Sequence, residues 1–249
     1  GAWTDITGRK NYEQELRYAS LHDSLTGLYN RAYFENEYRR LEKSREYPIS
    51  VLSMDLDGMK VINDTMGHEA GDIHLKACAA ILRSAFRASD IVFRVGGDEF
   101  AALLPSTGQE AGQHIVDRLR ERIASRNQHL EEGMPISLSI GMACTAGGPE
   151  ELADAFKQAD ERMYQDKREH KARANQQLIE AFMRLLQTKD FLDQGHGRRV
   201  NMLCMHIGRR LQLSPKQMAD LEHLSYVHDL GMVGVPDRIV FKAGPLDAE

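Results

Sequence analysis

The spacing of apolar and polar positions divides the chain into two parts near residue 150. The first part mixes β-branched apolar runs with amphipathic segments, which predicts strands alternating with helices. One apolar stretch is interrupted by Gly96-Gly97, a turn pair typical of a hairpin. Strands are predicted at residues 49–56, 90–95, 100–104 and 136–144, and helices at 10–22, 31–46, 107–126 and, in two stretches separated near Gly67 and Gly71, at 58–87.

The second part of the chain is helical throughout. Glycine and proline are absent from Glu150 to Gln194, so one long helix is predicted to leave the first domain and enter a second. Helices are predicted again at 196–212 and 214–228, with no strand pattern. We therefore interpret the chain as an α+β domain at 22–172, preceded by a short segment at 1–21 and followed by an all-α fragment at 173–249.

Composition narrows the possible functions. The chain has 249 residues, of which 42% are hydrophobic and 28% charged, so it can bury a sizeable core. Its net charge of −5 disfavours a nucleic-acid partner, and no apolar run reaches the ~18–20 residues of a membrane helix, so no membrane contact is expected. The three cysteines lack a C-x-x-C pattern, which predicts neither disulfides nor a zinc site. The polar start has no signal-peptide pattern and no initiator methionine, which predicts a cytoplasmic piece of a longer chain.

Carboxylates cluster at the predicted ends of two strands. Asp55 and Asp57 end the apolar run at 49–56, and Asp98 and Glu99 follow the glycine turn. Carboxylates at strand ends are unfavourable unless they bind positive charge, and oxygen ligands on adjacent loops suit a hard cation such as Mg²⁺. Two such ions could hold a phosphoryl group during transfer. A plain polar turn stays the alternative for the DLDG peptide, whereas an EF-hand is excluded because the following positions lack its ligands.

Further polar residues follow on the next predicted helices. Lys60 can reach a phosphate group as a point charge, and Asn63 and Asp72 offer the donors and acceptors needed to read a guanine edge. Each of these residues alone is also compatible with a helix cap or a solvated helix face. The chain has no Walker P-loop and no G-x-G-x-x-G sequence, so a phosphate site here would differ from both.

Three segments together resemble the GGDEF family of diguanylate cyclases. They are DSLTGLYNR at 23–31, DLDGMKVINDTMGHEAGD at 55–72 and RVGGDEF at 94–100, and they occur in the family's order and spacing. The resemblance implies a palm-like fold with a central antiparallel sheet flanked by helices. It also implies that two GTP molecules are condensed to cyclic di-GMP with loss of pyrophosphate. The reaction would use Mg²⁺ or Mn²⁺ and a homodimer whose two half-sites face each other.

The resemblance also implies a role for each matching residue. Asp98, Glu99 and Lys60 form the implied catalytic set, with Glu99 as a metal contact or as the base for the attacking hydroxyl. KREHK at 167–171 departs from the usual Gly-Arg-Asn run, and Lys171 keeps the charge but lacks the planar fork of arginine. The implied metal ligands are Asp55, the Leu56 carbonyl, Asp98 and Glu99. The implied guanine contacts are Asn63 and Asp72. The implied phosphate contacts are Lys60, Gly96, Gly97, Lys167 and Lys171.

One more match concerns regulation. Arg87 and Asp90 have the R-x-x-D form and position of the family's product-inhibition site, and Arg118 matches a supporting arginine. Arginine can bind the acceptor edge of guanine with two hydrogen bonds. A solvated helix end is the alternative interpretation of the same four residues.

Both flanks resemble parts of other signalling domains. WTDITGRK at 3–10 is similar to the end of a PAS sensor domain, which would make the helix at 10–22 a signalling helix. His196, His228 and Asp229 match the first metal ligands of an HD-GYP phosphodiesterase domain, in which Met232 stands where lysine is usual. The alternatives are an ordinary N-terminal cap and structural histidines.

Two classes of function therefore remain open for the α+β domain. The intact Asp98, Glu99 and Lys60 favour a diguanylate cyclase with feedback inhibition. The alternative is a GGDEF module that binds GTP or cyclic di-GMP and regulates the attached HD-type phosphodiesterase domain. The change at Lys171 weakly favours that alternative.

Overall fold

A four-stranded antiparallel sheet forms the centre of the first domain. The computed structural model describes residues 18–130, 133–145, 150–188, 196–235 and 237–240, together with Lys242 and Gly244. The antiparallel sheet flanked by helices that the sequence predicts is confirmed. The strands are β1 (Ser50–Leu56), β2 (Ile91–Arg94), β3 (Glu99–Leu104) and β4 (Leu138–Cys144), in the spatial order β2-β3-β1-β4.

The helices connect the strands and then continue beyond the sheet. Residues 18–21 are helical and lead into the first loop. A 3-10 helix at Leu230–Gly234 precedes the last helix. The helices are α1 (Arg31–Glu42), α2 (Met59–Met66), α3 (His68–Ala85), α4 (Gln109–Gln128), α5 (Glu150–Thr188), α6 (His196–Arg210), α7 (Pro215–Val227) and α8 (Asp237–Val240).

The sheet buries both of its faces. Side chains alternate along a strand, so Leu52 and Met54 of β1 pack on one face with α3 and α4, whereas Val51 packs on the other with α1 and α5. Gly141 of β4 permits this second layer, because a Cβ there would lie 1.9 Å from the carbonyl oxygen of Ala159 in α5. The alternation places the odd-numbered polar residues of β1 opposite α5.

The loop between residues 22 and 29 is attached to the edge of the sheet beside β2. The N–H of Arg94 donates to the Tyr29 carbonyl at 2.8 Å, and the N–H of Tyr29 donates to the Val92 carbonyl at 3.2 Å. The Tyr29 ring packs against buried Phe93. The DSLTGLYN segment is therefore held next to the strand that leads into the glycine turn.

Several predicted bounds shift in the structure. The predicted helical break near Gly71 is wrong, because Gly71 lies inside α3 and the chain turns only at Gly67, which has φ +85°. The helix predicted at 31–46 ends at Glu42, and the long helix predicted to reach Gln194 is described as far as Thr188. The segments assigned to a PAS end and to most of the signalling helix lie outside the described residues.

The C-terminal elements pack on each other and on α2. Gly208 of α6 lies against α7, where a Cβ would come 2.6 Å from the sulfur of Met218. The far end of α5 and the 3-10 helix cover α2 with an apolar cluster, and Gly234 sits so close to Thr65 that a Cβ would lie 2.1 Å from its carbonyl oxygen. In the part of the chain that the structure describes, no helix is both long and apolar enough to cross a bilayer. The α2 cluster consists of Ile62, Met134, Leu178, Ala181, Phe182 and Val233.

Candidate active site

Acidic groups of β1 and β3 meet at one end of the sheet. Asp55 and Glu99 are direct partners in the antiparallel register, so their side chains lie on the same face. Asp55 is buried, whereas Glu99 is exposed. The Asp98 carbonyl accepts a hydrogen bond from the N–H of Leu56 at 2.9 Å, which fixes the glycine turn against the end of β1. Asp55, Asp98 and Glu99 therefore lie at the same end of the sheet, but among the described residues their carboxylate oxygens do not come within 4.8 Å of one another as a group.

Lys167 of α5 lies against this acidic group. Its ammonium nitrogen is 2.7 Å from Oδ1 of Asp55. Burial lowers the pKa of Lys167, but the hydrogen bond to Asp55 and the charges of the nearby carboxylates outweigh burial and raise it. The sequence assigned Lys167 to a phosphate, and the structure shows it bound to a proposed metal ligand.

The Asp57 carboxylate is hydrogen-bonded to residues different from those that contact Asp55. Its two carboxylate oxygens accept hydrogen bonds from the hydroxyls of Ser137 and Ser139 at 2.7 and 2.8 Å. Burial raises the pKa of Asp57 more than these hydrogen bonds lower it. The carboxylate is thus bound to the β4 side of the sheet end, and Asp55 alone of the two aspartates faces Glu99 and Lys167.

A polar cleft of about 400 Å³ lies beside the acidic group, between α2, α3 and the glycine turn. Lys60, Asn63 and Asp72 line it together, as the sequence predicts for a guanine and phosphate site. Gly97 and Asp98 form the opposite wall. Gly71 is needed for this arrangement, because a Cβ there would lie 2.0 Å from Oδ1 of Asn63.

Arg94 also lines the cleft and was not assigned from the sequence. Its guanidinium donates to the Gly97 carbonyl at 2.7 Å and to Asp23 at 3.1 Å. Burial raises the pKa of Asp23, but the hydrogen bonds from Thr26 and Arg94 lower it overall. Arg94 ties the glycine turn to the first loop, and its only sequence signal is its place just before the turn. The cleft residues Asp64 and His68 were likewise missed.

The remaining predicted substrate contacts are placed differently. Gly96 lies under Glu99, since a Cβ at Gly96 would come 2.3 Å from Oε2 of that side chain. At Gly97 a Cβ would meet no atom within 4 Å, so this side of the turn is open to a ligand. Lys171 is exposed one helical turn beyond Lys167, and it does not line the cleft.

A second cavity, of about 240 Å³, contains the R-x-x-D residues. Asp90 accepts a hydrogen bond from the backbone N–H of Arg87 at 2.9 Å, and both residues line the cavity. Arg118 does not line it. Its guanidinium instead donates to the Ala85 carbonyl at 2.6 and 3.1 Å, at the end of α3. The structure therefore gives Arg118 a contact with the backbone that leads to Arg87.

A third group of candidate ligands lies in the C-terminal part, at the start of α6 and just after α7. Possible metal-binding atoms of His196, His228 and Asp229 all lie within 4.8 Å of one another. Nε2 of His228 is 2.9 Å from Oδ2 of Asp229, while its Nδ1 lies 2.9 Å from the Ser225 carbonyl. A backbone carbonyl accepting from Nδ1–H leaves Nε2 as the ligand atom. The structure thus brings together the three residues that the sequence singled out there.

The acidic residues at the end of β1 and the start of β3 are also of the types that bind metal ions. Carboxylates of Asp55, Asp98 and Glu99 are the hard oxygen ligands that Mg²⁺ prefers, and the Leu56 carbonyl lies between them in the chain. Asp55 already binds a cationic group, the Lys167 ammonium, in spite of being buried. The ligand types therefore suit a divalent cation, although within the described residues the three carboxylates are not gathered around one point as His196, His228 and Asp229 are.

Comparison with known proteins gives consistent matches. The family model "Diguanylate cyclase, GGDEF domain" matches residues 20–173. Diguanylate cyclase DgcM of Escherichia coli (strain K12) is 36% identical over 175 residues, which are 68% of this chain and 41% of DgcM. Response regulator PleD of Caulobacter vibrioides is 36% identical over 165 residues, which are 64% of this chain and 36% of PleD.

Solved structures agree in fold. The coiled coil and GGDEF domain of DgcB from Caulobacter crescentus, solved in complex with cyclic di-GMP, is 25% identical with a TM-score of 0.58, and the match covers 66% of this chain and 89% of that one. The chain spans well under half the length of the curated relatives DgcM and PleD. With a family match over more than half of its residues, the chain belongs to the GGDEF family of diguanylate cyclase domains.

Proposed function

We propose that this chain is a diguanylate cyclase, which condenses two GTP molecules to cyclic di-GMP and releases two pyrophosphates. One observation carries the proposal. Asp98 lines the cleft that contains Lys60, Asn63 and Asp72, and its neighbour Glu99 is the direct strand partner of Asp55. Groups able to bind a guanine nucleotide and groups able to bind cations therefore lie at one end of the sheet.

Each step uses residues of this site. Asn63 and Asp72 bind the guanine edge, and Lys60 holds a phosphate by charge. The 3′-hydroxyl of one GTP forms a bond to the α-phosphorus of the other while the bond to pyrophosphate breaks. Glu99, which is exposed beside the turn, accepts the hydroxyl proton. The open backbone at Gly97 leaves room for the phosphates.

A divalent cation, Mg²⁺ or Mn²⁺, belongs to the proposal. Asp55, the Leu56 carbonyl, Asp98 and Glu99 would hold it, and when bound it supplies positive charge against the phosphate oxygens. Lys167, now bonded to Asp55, would then be free to contact a phosphate. The change from arginine to Lys171 keeps a charge near the phosphates but removes a bidentate donor.

The active species we propose is a homodimer. The cleft at Asn63 and Asp72 would hold one guanine nucleotide, whereas the reaction joins two, so the proposal places two domains face to face. The proposal also includes feedback by cyclic di-GMP at Arg87 and Asp90, with Arg118 in support. Two observations favour it: these R-x-x-D residues line a cavity separate from the cleft, and Arg118 contacts the end of α3.

For the flanks we propose the finer assignments that the sequence suggested, with the whole chain in the cytoplasm. Residues 3–10 are the end of a PAS domain, and residues 173–249 begin an HD-GYP-like domain. The clustering of His196, His228 and Asp229 supports the second assignment. It also supports the alternative function, in which a nucleotide-binding GGDEF module regulates the attached phosphodiesterase domain.

Incubation of the purified chain with GTP and Mg²⁺, followed by separation of the nucleotides, tests these functions. A cyclase forms cyclic di-GMP and pyrophosphate, and the activity rises with protein concentration as dimers form. The alternative module binds GTP or cyclic di-GMP and leaves both unchanged. Formation of no product at any protein concentration would contradict the proposed activity.

We expect no cyclic di-GMP hydrolysis by this chain with Mn²⁺ or Fe²⁺. The three clustered ligands are a partial set, which binds a metal weakly, and Met232 cannot steady phosphate charge as a lysine would. Linear pGpG or GMP, lost in His228→Ala, would contradict this expectation.

A further inference from the structure

The R-x-x-D cavity has a second arginine that belongs to no assigned site. Arg83 lines it together with Arg87, and the loop at residues 22–29 forms the facing wall. Arg83 lies in the last turn of α3, which ends at Ala85, and Arg87 follows two residues after that end. Two guanidinium groups thus border one cavity of about 240 Å³.

The side chain of Arg83 is exposed, and its guanidinium lies against the facing loop across the cavity. A Cβ at Gly27 in the facing loop would lie 3.1 Å from Nη1 of Arg83. Gly27 also has φ +68°, so the loop approaches the guanidinium with a backbone that only glycine adopts readily. The contact places the charged end of Arg83 between α3 and the loop.

The cavity carries unbalanced positive charge. Within the described ranges no carboxylate pairs with the side chain of Arg83 or Arg87. Asp90, the acidic residue of the cavity lining, is directed to the backbone N–H of Arg87. Arg118 is committed to the Ala85 carbonyl. Arg83 is therefore the guanidinium that accompanies Arg87 in the cavity.

The facing wall of the cavity is built from stacked rings. His22 is stacked between Tyr18 and Tyr29, with ring centroids 3.9 and 4.4 Å apart, and His22 and Tyr29 both line the cavity. Nδ1 of His22 lies 3.2 Å from the Gly27 carbonyl, which further fixes the ring. Tyr33 is stacked on Tyr29 in turn, so both faces of each lining ring are occupied and this wall is rigid. The two arginines beside it offer bidentate donors to a purine that carries acceptors.

We infer that Arg83 is a binding residue for cyclic di-GMP in this cavity, donating two hydrogen bonds to an acceptor pair of the ligand such as guanine O6 and N7. The inference rests on the proposed feedback function and adds to it a residue outside the R-x-x-D motif. Because Arg83 lies outside the GTP cleft, its loss changes the response to product and leaves the basal reaction intact.

Calorimetric titration of the full chain with cyclic di-GMP tests the inference, alongside inhibition of GTP turnover. Arg83→Ala should weaken binding by at least about tenfold, since a hydrogen-bonded charge is lost. Arg83→Lys should fall between wild type and Arg83→Ala. The matched control is Arg122→Ala, which removes an exposed arginine that bonds to Ser84 and does not line the cavity. It should bind as wild type does.

The outcomes separate the inference from the function on which it rests. Wild-type affinity in Arg83→Ala, with binding lost in Arg87→Ala, would overturn the role of Arg83 and leave feedback in place. No binding by the wild-type chain would overturn the feedback function and the inference with it. Equal weakening in Arg83→Ala and Arg122→Ala would show a general charge effect and also overturn the inference. A lowered melting temperature in Arg83→Ala would assign it a structural role instead.

Discussion

Glu99 stands at the first position of β3 with its side chain exposed, so its carboxylate contributes little to packing. Replacing Glu99 by Gln removes the negative charge and the proton acceptor but keeps the shape. We expect cyclic di-GMP formation to fall by at least about 100-fold, the usual contribution of a positioned base. The melting temperature should stay within a degree or two. Asp117→Asn, at an exposed carboxylate of α4, is the control and should keep full activity. Wild-type turnover in Glu99→Gln would refute the assignment.

The position of the Asn63 side chain in the cleft depends on the lack of a side chain at Gly71. In Gly71→Ala the new methyl group would occupy the position of the Asn63 amide, because Oδ1 lies 2.0 Å from that Cβ. Alanine favours a helix over glycine, so the fold should persist while the KM for GTP rises about tenfold or more. Selectivity for GTP over ATP should also fall, since Asn63 is the proposed contact to the base. The control is Gly197→Ala in α6, where nothing lies within 4 Å of the Cβ. An unchanged KM would show that Asn63 does not bind the nucleotide.

His74 makes the fold sensitive to acid. It is buried in α3, its Nε2 has no hydrogen-bond partner in the described part of the chain, and burial lowers its pKa to about 4. The folded pKa lies below the unfolded value, so stability is full above about pH 6.5 and is lost as the pH falls towards 4. When the pH falls from 7 to 4.5, the shifted pKa of His74 lowers the free energy of unfolding by about 2 kcal/mol. Urea unfolding at both values should show a smaller loss in His74→Gln than in wild type. Exposed His114→Gln should lose as much as wild type does.

At the scale of elements, the packing of α5 on β4 determines where the basic residue Lys167 lies in the site. Lys167 reaches Asp55 because α5 lies directly on the sheet, and Gly141 allows that approach. In Gly141→Ala the Cβ would meet backbone atoms of Ala159 and Met163, which cannot rotate away. We expect a loss of about 2–3 kcal/mol in the free energy of unfolding, measured in urea. Gly97→Ala, with open space at its Cβ, should leave stability unchanged. Equal stabilities would contradict this close packing.

The strands and helices also show how much of the fold the local sequence patterns predict. Period-two alternation and the glycine turn locate β1 to β4 to within a few residues, because those patterns are local. The strand order and the register that sets Asp55 beside Glu99 depend on pairing between distant segments. The family resemblance implied an antiparallel sheet but gave neither of them. The Arg94 link to Asp23 and the serine partners of Asp57 carry no local pattern at all. The break predicted at Gly71 failed because this glycine makes room for a side chain rather than a turn.

At the scale of the whole molecule, the C-terminal part supports α2, the helix that carries the proposed nucleotide contacts Lys60 and Asn63. Leu178 and Phe182 of α5 and Val233 of the 3-10 helix pack beneath α2, whose other side carries Lys60 and Asn63. Phe182→Ala should cost about 3 kcal/mol in unfolding free energy and raise the KM for GTP, because α2 loses its support. Leu203→Ala, at a side chain that is 62% exposed on α6, is the control and should change neither. A normal KM in the destabilised Phe182→Ala would show that this support does not reach the cleft.

The eight residues of α2 are too few to form a lasting helix alone, so neighbours set how long it stays folded. Amide protons at Ile62 to Met66 can exchange with solvent only while the helix is open. Their exchange should therefore be slow in the full chain and much faster when the residues beyond 172 are removed, with β1 amides as an unchanged reference. The time for which each GTP cleft stays fit to bind would then be governed by residues more than a hundred positions away in the chain.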